Sequence, residues 1–168
     1  LTVSLLPSLA AKWLVPWIGA FSAQHPEIDL NIHCSRVLVD FERDEIDVAI
    51  RYGRGTWAGC TSELIMSEEL AVVCAPSLAE NMGTDPDPKV LAGVPVLYGD
   101  EPDTWKTWMR AAGVPDLRLP KGPVFTDANA LLQAAISGQG IMLGRSVLVA
   151  GDLATGQLVE PFELRVPA

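Results

Sequence analysis

Residues 1–11, LTVSLLPSLAA, and residues 124–132, VFTDANALL, decide how this chain is expected to fold. Each stretch opens with a short β-prone apolar run, stops at hydroxyl or carboxylate residues that suit helix caps, and continues into an alanine- and leucine-rich helix. The first N–H groups of a helix lack partners within the helix and carry partial positive charge. We therefore expect the two helix starts to face each other and to bind a small polar or anionic ligand.

Strands and helices alternate outward from these two stretches. Apolar or alternating runs predict strands at residues 1–6, 28–34, 46–52, 70–74, 94–98, 124–125, 141–143 and 158–162. Helical spacing predicts helices at residues 9–21, 37–44, 105–112, 128–137 and 147–153, with Pro16 interrupting the first. This alternation is typical of parallel sheets, and the proline-rich middle of the chain favours two small ones. Ligands of such sheets bind at the carboxyl ends of strands, which is where both helix starts lie.

Composition and charge exclude several classes of protein. The chain has 168 residues, of which 49% are hydrophobic, which is enough to form a core. Its formal charge is −9, so we expect that it does not bind nucleic acid by itself. It has no apolar run long enough to span a membrane and no leader, so we expect no membrane partner. Three cysteines in apolar or strand-like contexts, Cys34, Cys60 and Cys74, predict reduced, buried thiols in a cytoplasmic protein.

Catalytic and metal-ligating patterns are weak. His33 and Cys34 are neighbours on a predicted strand, so their side chains point to opposite faces and make a zinc site improbable. The segment Gly138-Gln139-Gly140 follows a helix and precedes a strand, the reverse of the order in a dinucleotide-binding loop, and so predicts a helix C-cap. Neither a serine-nucleophile motif nor a phosphate-loop lysine occurs. We therefore expect no enzyme, no cofactor and no metal.

Four segments together resemble the effector-binding domain of LysR-type transcriptional regulators. They are residues 1–16 (LTVSLLPSLAAKWLVP), residues 47–55 (DVAIRYGRG) with Trp57 and Gly59, residues 105–109 (WKTWM), and residues 125–143 (FTDANALLQAAISGQGIML). The similarity runs in order over nearly the whole chain. It is greatest to the branch that holds the glycine-cleavage activator and the β-lactamase regulators.

The resemblance implies an α/β fold of the type II periplasmic-binding-protein kind, with two Rossmann-like subdomains joined by crossing strands. Subdomain I would comprise residues 1–73 and 162–168, and subdomain II residues 74–161. A small-molecule effector, anionic or amino-acid-like, would bind in the cleft between them. Effector binding would then rearrange a dimer or tetramer.

The resemblance also implies a longer protein. Full-length relatives bind DNA through an N-terminal winged helix-turn-helix that is absent from this chain, so we expect DNA contact only through that domain. The chain opens at Leu1 rather than Met, and it stops at Ala168, before the final strand and helix that such domains return to the first subdomain. We expect a fragment. By family analogy, Trp13 and Trp17 on the first helix mark a dimer surface, although core packing explains them nearly as well.

Ligand-binding positions carry over from the family in both subdomains. In the first they are Ser8 with the backbone amides of Leu9 and Ala10, together with Ser35 and Arg36. In the second they are Phe125, Thr126, Asp127 and Asn129. Side chains at these positions vary within the family, so the identity of the ligand does not carry over.

Several candidate residues keep a second interpretation. The side chains of Ser8, and of Thr126 or Asp127, could simply cap their helices. Arg51 could hold a carboxylate of the ligand with two hydrogen bonds, or it could pair with Asp47 or another acid, and both alternatives stay open.

The tryptophans likewise allow two interpretations. Trp57 either walls the pocket or covers the core beneath the glycine turn, and the core interpretation is preferred. Trp105 and Trp108 are three residues apart, so we expect one helix face to pack inward.

Two other functions remain as alternatives to a regulatory sensor. A solute-binding protein of a transport system would share the architecture, although the missing leader and the odd number of thiols argue against it. An α/β enzyme would need a nucleophile or base in the cleft, and the sequence offers none.

Overall fold

Two units make up the chain in the computed structural model, which describes residues 1–101 and 103–168. They are Leu1–Ser67 and Glu68–Ala168. This division departs from the expected subdomain boundaries at residues 68–73 and 162–168, which group with the second unit. The physical reason is strand pairing. Strand β4 (Glu69–Val73) pairs with β7 (Met142–Arg145) of the second unit as well as with β8 (Arg165–Pro167), so both β4 and β8 join the sheet of that unit.

A three-stranded parallel sheet organises the first unit. Its strands are β1 (Thr2–Leu5), β2 (Asn31–Cys34) and β3 (Val48–Ile50), in the order β2-β1-β3. The parallel arrangement predicted for this half is confirmed. The helix expected at residues 37–44 does not form, and residues 41–43 make a turn instead.

One long helical segment connects β1 to β2. It begins as α1 (Pro7–Leu9), widens into a π-helical stretch (Ala10–Leu14) and continues as α2 (Val15–Gln24). Pro16 has no N–H to donate. Just before it, the backbone hydrogen bonds span five residues instead of four, so the Val15 N–H donates to the Ala10 carbonyl. The predicted interruption at Pro16 therefore takes the form of a π-helical segment.

The main sheet of the second unit is antiparallel. Strand β4 lies between β7 (Met142–Arg145) and β8 and pairs antiparallel with both. The expectation of parallel pairing is wrong for this sheet. It holds for the short pair β5 (Tyr98–Gly99) and β6 (Val124–Phe125) and for the single bridge between Val96 and Ile141. The strand expected at residues 158–162 is reduced to a single bridge between Val159 and Cys74.

Helices of the second unit surround these strands. They are α3 (Pro76–Glu80), a 3-10 helix (Pro88–Gly93), α4 (Thr104–Ala111), α5 (Ala128–Ile136) and α6 (Ser146–Ala154). Gly138 follows the end of α5, and its φ of +73° lets the Gln139 N–H reach back to the Ala134 carbonyl at 3.0 Å. The predicted C-cap at Gly138 is confirmed.

Two apolar clusters form the core of the second unit. One centres on Trp108, which is fully buried, stands edge-on to Phe162 at 5.3 Å between ring centroids, and donates its indole N–H to the Leu164 carbonyl at 3.2 Å. Trp105 is buried beside it, so the predicted inward face of α4 is confirmed. The other cluster joins α5 and α6 to β7 and includes Leu132.

The cysteines differ from one another in exposure. Cys74 is buried, as predicted, and burial raises the pKa of its thiol to about 11. Cys34 and Cys60 are exposed, so the expectation that all three thiols are buried is wrong. Cys34 ends β2 at the edge of its sheet, and Cys60 lies in a turn beyond Gly59, which the apolar neighbours of these residues did not reveal.

Candidate functional site

The carboxyl ends of the three parallel strands bring the candidate residues of the first unit to one sheet edge. Because Leu5 pairs with both Cys34 and Ile50, the residues that follow these three positions leave the sheet side by side. Ser8 follows β1, Ser35 follows β2 and Arg51 follows β3. The sequence therefore located the first-unit candidates at a common edge.

Ser8 occupies a different helix position from the one expected. The helix begins at Pro7, so the N-cap residue is Leu6, and no side chain caps this end. Ser8 lies inside the first turn and is buried. The Ala10 N–H already donates to the Leu6 carbonyl at 2.9 Å, so the amides of this turn that lack an intrahelical acceptor are those of Ser8 and Leu9. Proline at the first helical position explains the shift, because its fixed φ suits that position.

The turn after β2 presents Ser35 and Arg36 beside the same edge. The Ser35 N–H donates to the Leu5 carbonyl at 2.9 Å, which extends the β1–β2 ladder by one residue. The Ser35 hydroxyl accepts the Val37 N–H at 3.1 Å and so closes a local turn. Arg36 is exposed at the tip of this turn.

Arg51 bonds to neutral oxygens, not to an acid. Its Nη2 donates to the Ser4 hydroxyl at 2.8 Å and to the Val37 carbonyl at 3.1 Å, and its Nη1 donates to the Ile50 carbonyl at 3.0 Å. The pairing with Asp47 is absent, because the Asp47 carboxylate accepts the Thr2 N–H at 2.7 Å. Burial lowers the pKa of the Arg51 guanidinium, since desolvation penalises its charged form.

Ser4 is the residue of this edge that sequence reasoning missed. It is completely buried, and its hydroxyl accepts the hydrogen bond from Arg51. Ser4 pairs with Ala49, two residues before Arg51, so Ser4 and Arg51 lie on one face of the sheet. The signal available in the sequence was the serine at position 4, a polar residue inside the apolar run LTVSLL of a predicted strand.

Trp57 covers the turn after β3. A Cβ atom placed on Gly53 would lie 3.0 Å from the Trp57 indole, so the ring lies against the glycine backbone. The indole is half-buried. This contact agrees with the interpretation that Trp57 covers the glycine turn.

The second unit places its candidates at the start of α5. Strands β5 and β6 are parallel, so the Thr126–Asp127 pair follows β6 at the carboxyl edge. Asp127 is the N-cap residue, and its carboxylate accepts the Ala130 N–H at 2.9 Å. The predicted cap of this helix is therefore confirmed. Phe125 packs against the cluster around α5, and Asn129 is half-buried in the first helical turn.

Two further searches concern membrane-spanning helices and clusters of metal-ligating side chains. Within residues 1–101 and 103–168, no helix is both long and apolar enough to cross a membrane. The same residues contain no group of three or more His, Cys, Asp or Glu side chains placed to hold a metal ion.

Comparison with known families decides the identity of the domain. The family model described as the LysR substrate binding domain matches residues 1–168. The chain belongs to the LysR substrate-binding domain family. Its fold is the type II periplasmic-binding-like α/β fold of LysR effector-binding domains, as the resemblance implied.

Relatives of this LysR domain are transcriptional activators. It is 39% identical over 162 residues to the glycine cleavage system transcriptional activator of Escherichia coli strain K12, covering 96% of the chain and 53% of that relative. It is 35% identical to the transcriptional activator AmpR of Rhodobacter capsulatus, covering 99% of the chain and 56% of the relative. The chain thus spans about half the length of these curated relatives.

Solved structures agree with this assignment. The effector domain of the regulator AmpR from Pseudomonas aeruginosa superposes with a TM-score of 0.86 at 32% identity, covering 100% of this chain and 81% of that one. The AmpR effector-binding domain from Citrobacter freundii gives the same TM-score at 26% identity, covering 99% of this chain and 82% of that one. These relatives are regulators and not enzymes, and the comparisons lend no support to the transport alternative.

Proposed function

We propose that this domain senses a small-molecule effector for a LysR-type transcriptional regulator. The observation that carries the proposal is the arrangement of polar groups at the carboxyl edges of parallel strands in both units. The proposed ligand-binding residues are Ser8, Leu9, Ala10, Ser35, Arg36, Arg51, Phe125, Thr126, Asp127 and Asn129. Of these, Ala10 would contribute by packing or through its carbonyl, because its amide is already bonded.

The ligand would be held by helix starts from both units. The Ser8 and Leu9 amides in the first unit and the Ala128 and Asn129 amides in the second lie in first helical turns, where N–H groups lack intrahelical acceptors. Partial positive charge at such turns favours an anionic or amino-acid-like effector. Contact with both units favours one conformation over another, so ligand binding shifts the population between open and closed forms.

The conformational change would act on the oligomer. Subdomain I would take residues 1–73 and 162–168, and subdomain II residues 74–161, with the chain segments that cross between them as the flexing element. Closure would alter packing between copies in a dimer or tetramer and so the spacing of N-terminal DNA-binding domains. A regulator that binds DNA in this way works in the cytoplasm.

Calorimetry and ligand-induced thermal shifts with a panel of small carboxylic acids and amino acids test the proposal. For any ligand that binds, Ser8→Ala and Thr126→Val should each weaken binding by about tenfold, the value of one or two hydrogen bonds. Matched controls are Ser77→Ala and Thr84→Val, which alter exposed residues away from the strand edges. Ligand binding that both site variants leave at wild-type strength would contradict the proposed site.

A further inference from the structure

Arg51 carries a positive charge that no acid pairs with in the described part of the chain. Its hydrogen bonds go to the Ser4 hydroxyl and to the carbonyls of Val37 and Ile50, all of which are neutral. Among the residues that the structure describes, no carboxylate lies within ion-pair distance of Arg51, although the whole chain has a formal charge of −9. The Arg51 side chain is half-buried, and a partly desolvated charge is stabilised by a nearby counter-charge.

The guanidinium is fixed but incompletely bonded. It has five N–H groups, and the three bonds above use both on Nη2 and one on Nη1. The Nε atom is buried, and it has no hydrogen-bond partner in the described part of the chain. Such an unsatisfied buried donor is rare in native proteins. Nη1 also keeps one N–H that none of these three bonds uses, so the guanidinium retains bonding capacity.

The position of Arg51 suits a receptor. It follows β3 at the carboxyl edge of the parallel sheet, beside the start of the helix after β1. Burial lowers the pKa of its guanidinium but leaves it charged at neutral pH, since an arginine is not deprotonated in proteins. Three neutral acceptors hold the charge in place without cancelling it.

We propose that Arg51, held in position by Ser4, is the charged receptor for an oxyanion group on the effector. This inference rests on the proposed sensing function, and it narrows the ligand class to molecules that carry a carboxylate or phosphate. Ser4 acts as a positioning residue, because it bonds to Arg51 and is itself completely buried. A guanidinium matches either oxyanion, with charge-assisted hydrogen bonds that are about twice as strong as neutral ones.

Nuclear magnetic resonance of arginine side chains tests this directly. The Nε–H signals of the chain are titrated at constant ionic strength with acetate, inorganic phosphate and acetamide, and Arg51→Lys identifies the Arg51 signal by its loss. We expect the Arg51 signal to move saturably with acetate or phosphate and not with acetamide. Arg43, whose side chain is 85% exposed, is the internal control and should show only a small, unsaturating change. An Arg51 signal unmoved by both oxyanions, or moved equally by acetamide, overturns the proposal.

Substitutions at Ser4 test its positioning role. Ser4→Ala should weaken the affinity for whichever oxyanion binds by about tenfold, since the Arg51 guanidinium loses the hydroxyl that holds it in position. Ser4→Thr keeps the hydroxyl on a β-branched side chain suited to a strand, so it should restore most of the selectivity for acetate over acetamide. Circular dichroism checks that each variant is folded, and Ser4→Thr supplies the comparison if Ser4→Ala is not. Unchanged oxyanion affinity in folded Ser4→Ala would contradict the positioning role of Ser4. Loss of the selectivity for acetate over acetamide in folded Ser4→Thr would contradict it too.

A ligand panel separates this inference from the proposed function. A neutral metabolite that binds tightly, and whose binding Thr126→Val weakens, would contradict the charged receptor and leave the sensor intact. Oxyanion ligands whose binding depends on Arg51 but not on Ser8 or Thr126 would support the receptor and contradict the proposed two-unit site.

Discussion

The two units bury their side chains in different ways. In the second unit, two apolar clusters enclose large side chains such as Trp108 and Leu132. In the first unit, the buried residues belong only to β1 and the start of its helix, and α2 buries none. Two of those buried residues, Ser4 and Ser8, are polar. Most buried apolar side chains thus belong to the second unit, so we expect that unit to contribute most of the stability of the chain.

A pair of tryptophans gives the largest expected contrast between the units. Trp108→Ala should lower the free energy of unfolding by about 3–5 kcal/mol, because it empties the centre of an apolar cluster. Trp17→Ala in the first unit should change it by less than about 0.5 kcal/mol, as is usual for surface positions. The Trp17 side chain is 66% exposed. Urea denaturation of both variants measures the contrast, and similar losses would show that the first unit carries an equal share of the stability.

Two glycines give the next contrast. A Cβ at Gly122 would approach the Val96 carbonyl oxygen to 1.8 Å, so Gly122→Ala must displace backbone. We expect a loss of about 1–3 kcal/mol, typical of overpacking. Gly19 lies in α2 with open space around it, so Gly19→Ala should stabilise the chain by about 0.5–1 kcal/mol through helix propensity. Thermal melts should show a lower melting temperature for Gly122→Ala and a higher one for Gly19→Ala. A raised melting temperature for Gly122→Ala would contradict the close approach of Gly122 to the Val96 carbonyl.

Helix caps sharpen the comparison further. Asp127→Ala removes the only side-chain cap on α5 seen in the described residues and should lower the free energy of unfolding by about 1 kcal/mol. Asp127→Asn keeps an acceptor and should cost much less. Ser8→Ala removes no cap, because the first-unit helix has none. Melting temperatures of the three variants give the order, and an equal loss from Ser8→Ala would mean that Ser8 stabilises its helix after all.

Thiol chemistry gives the smallest contrast. Cys34 and Cys60 should react with a thiol reagent at pH 8 within minutes, whereas Cys74 should react only on unfolding. The pKa of Cys74 rises from 9.0 to about 11 on folding, so the unfolded chain loses its proton first as pH increases. Stability should therefore fall between pH 9 and 11 in the wild type, and less steeply in Cys74→Ala. Equal slopes for the two chains would mean that the buried thiol does not titrate as described.

Local patterns made much of this structure predictable. The helical spacing of Trp105 and Trp108 located the buried face of α4, and Gly138 located the end of α5. Both signals depend on residues within a few positions of each other. The candidate residues at strand ends were also found, because strand-to-helix junctions are local features.

Long-range pairing and exact helix starts were not predictable. The sequence of β4 does not indicate that its neighbours β7 and β8 run antiparallel to it. Both strands lie far from β4 along the chain, and they pair with it through backbone atoms, which every residue has. Ser8 looked like a cap because its hydroxyl is suitable, yet the helix begins at Pro7 and its N-cap residue is Leu6. The bond between Ser4 and Arg51 joins two strands, so neither residue reveals it alone.

Amide hydrogen exchange with and without a bound effector tests the central claim most directly. The account predicts that a ligand found in the panel slows exchange in both units together, at Ser8 and Leu9 and at Ala128 and Asn129. Slower exchange in only one unit, or only at residues away from these two helix starts, would contradict the claim that both helix starts hold the effector.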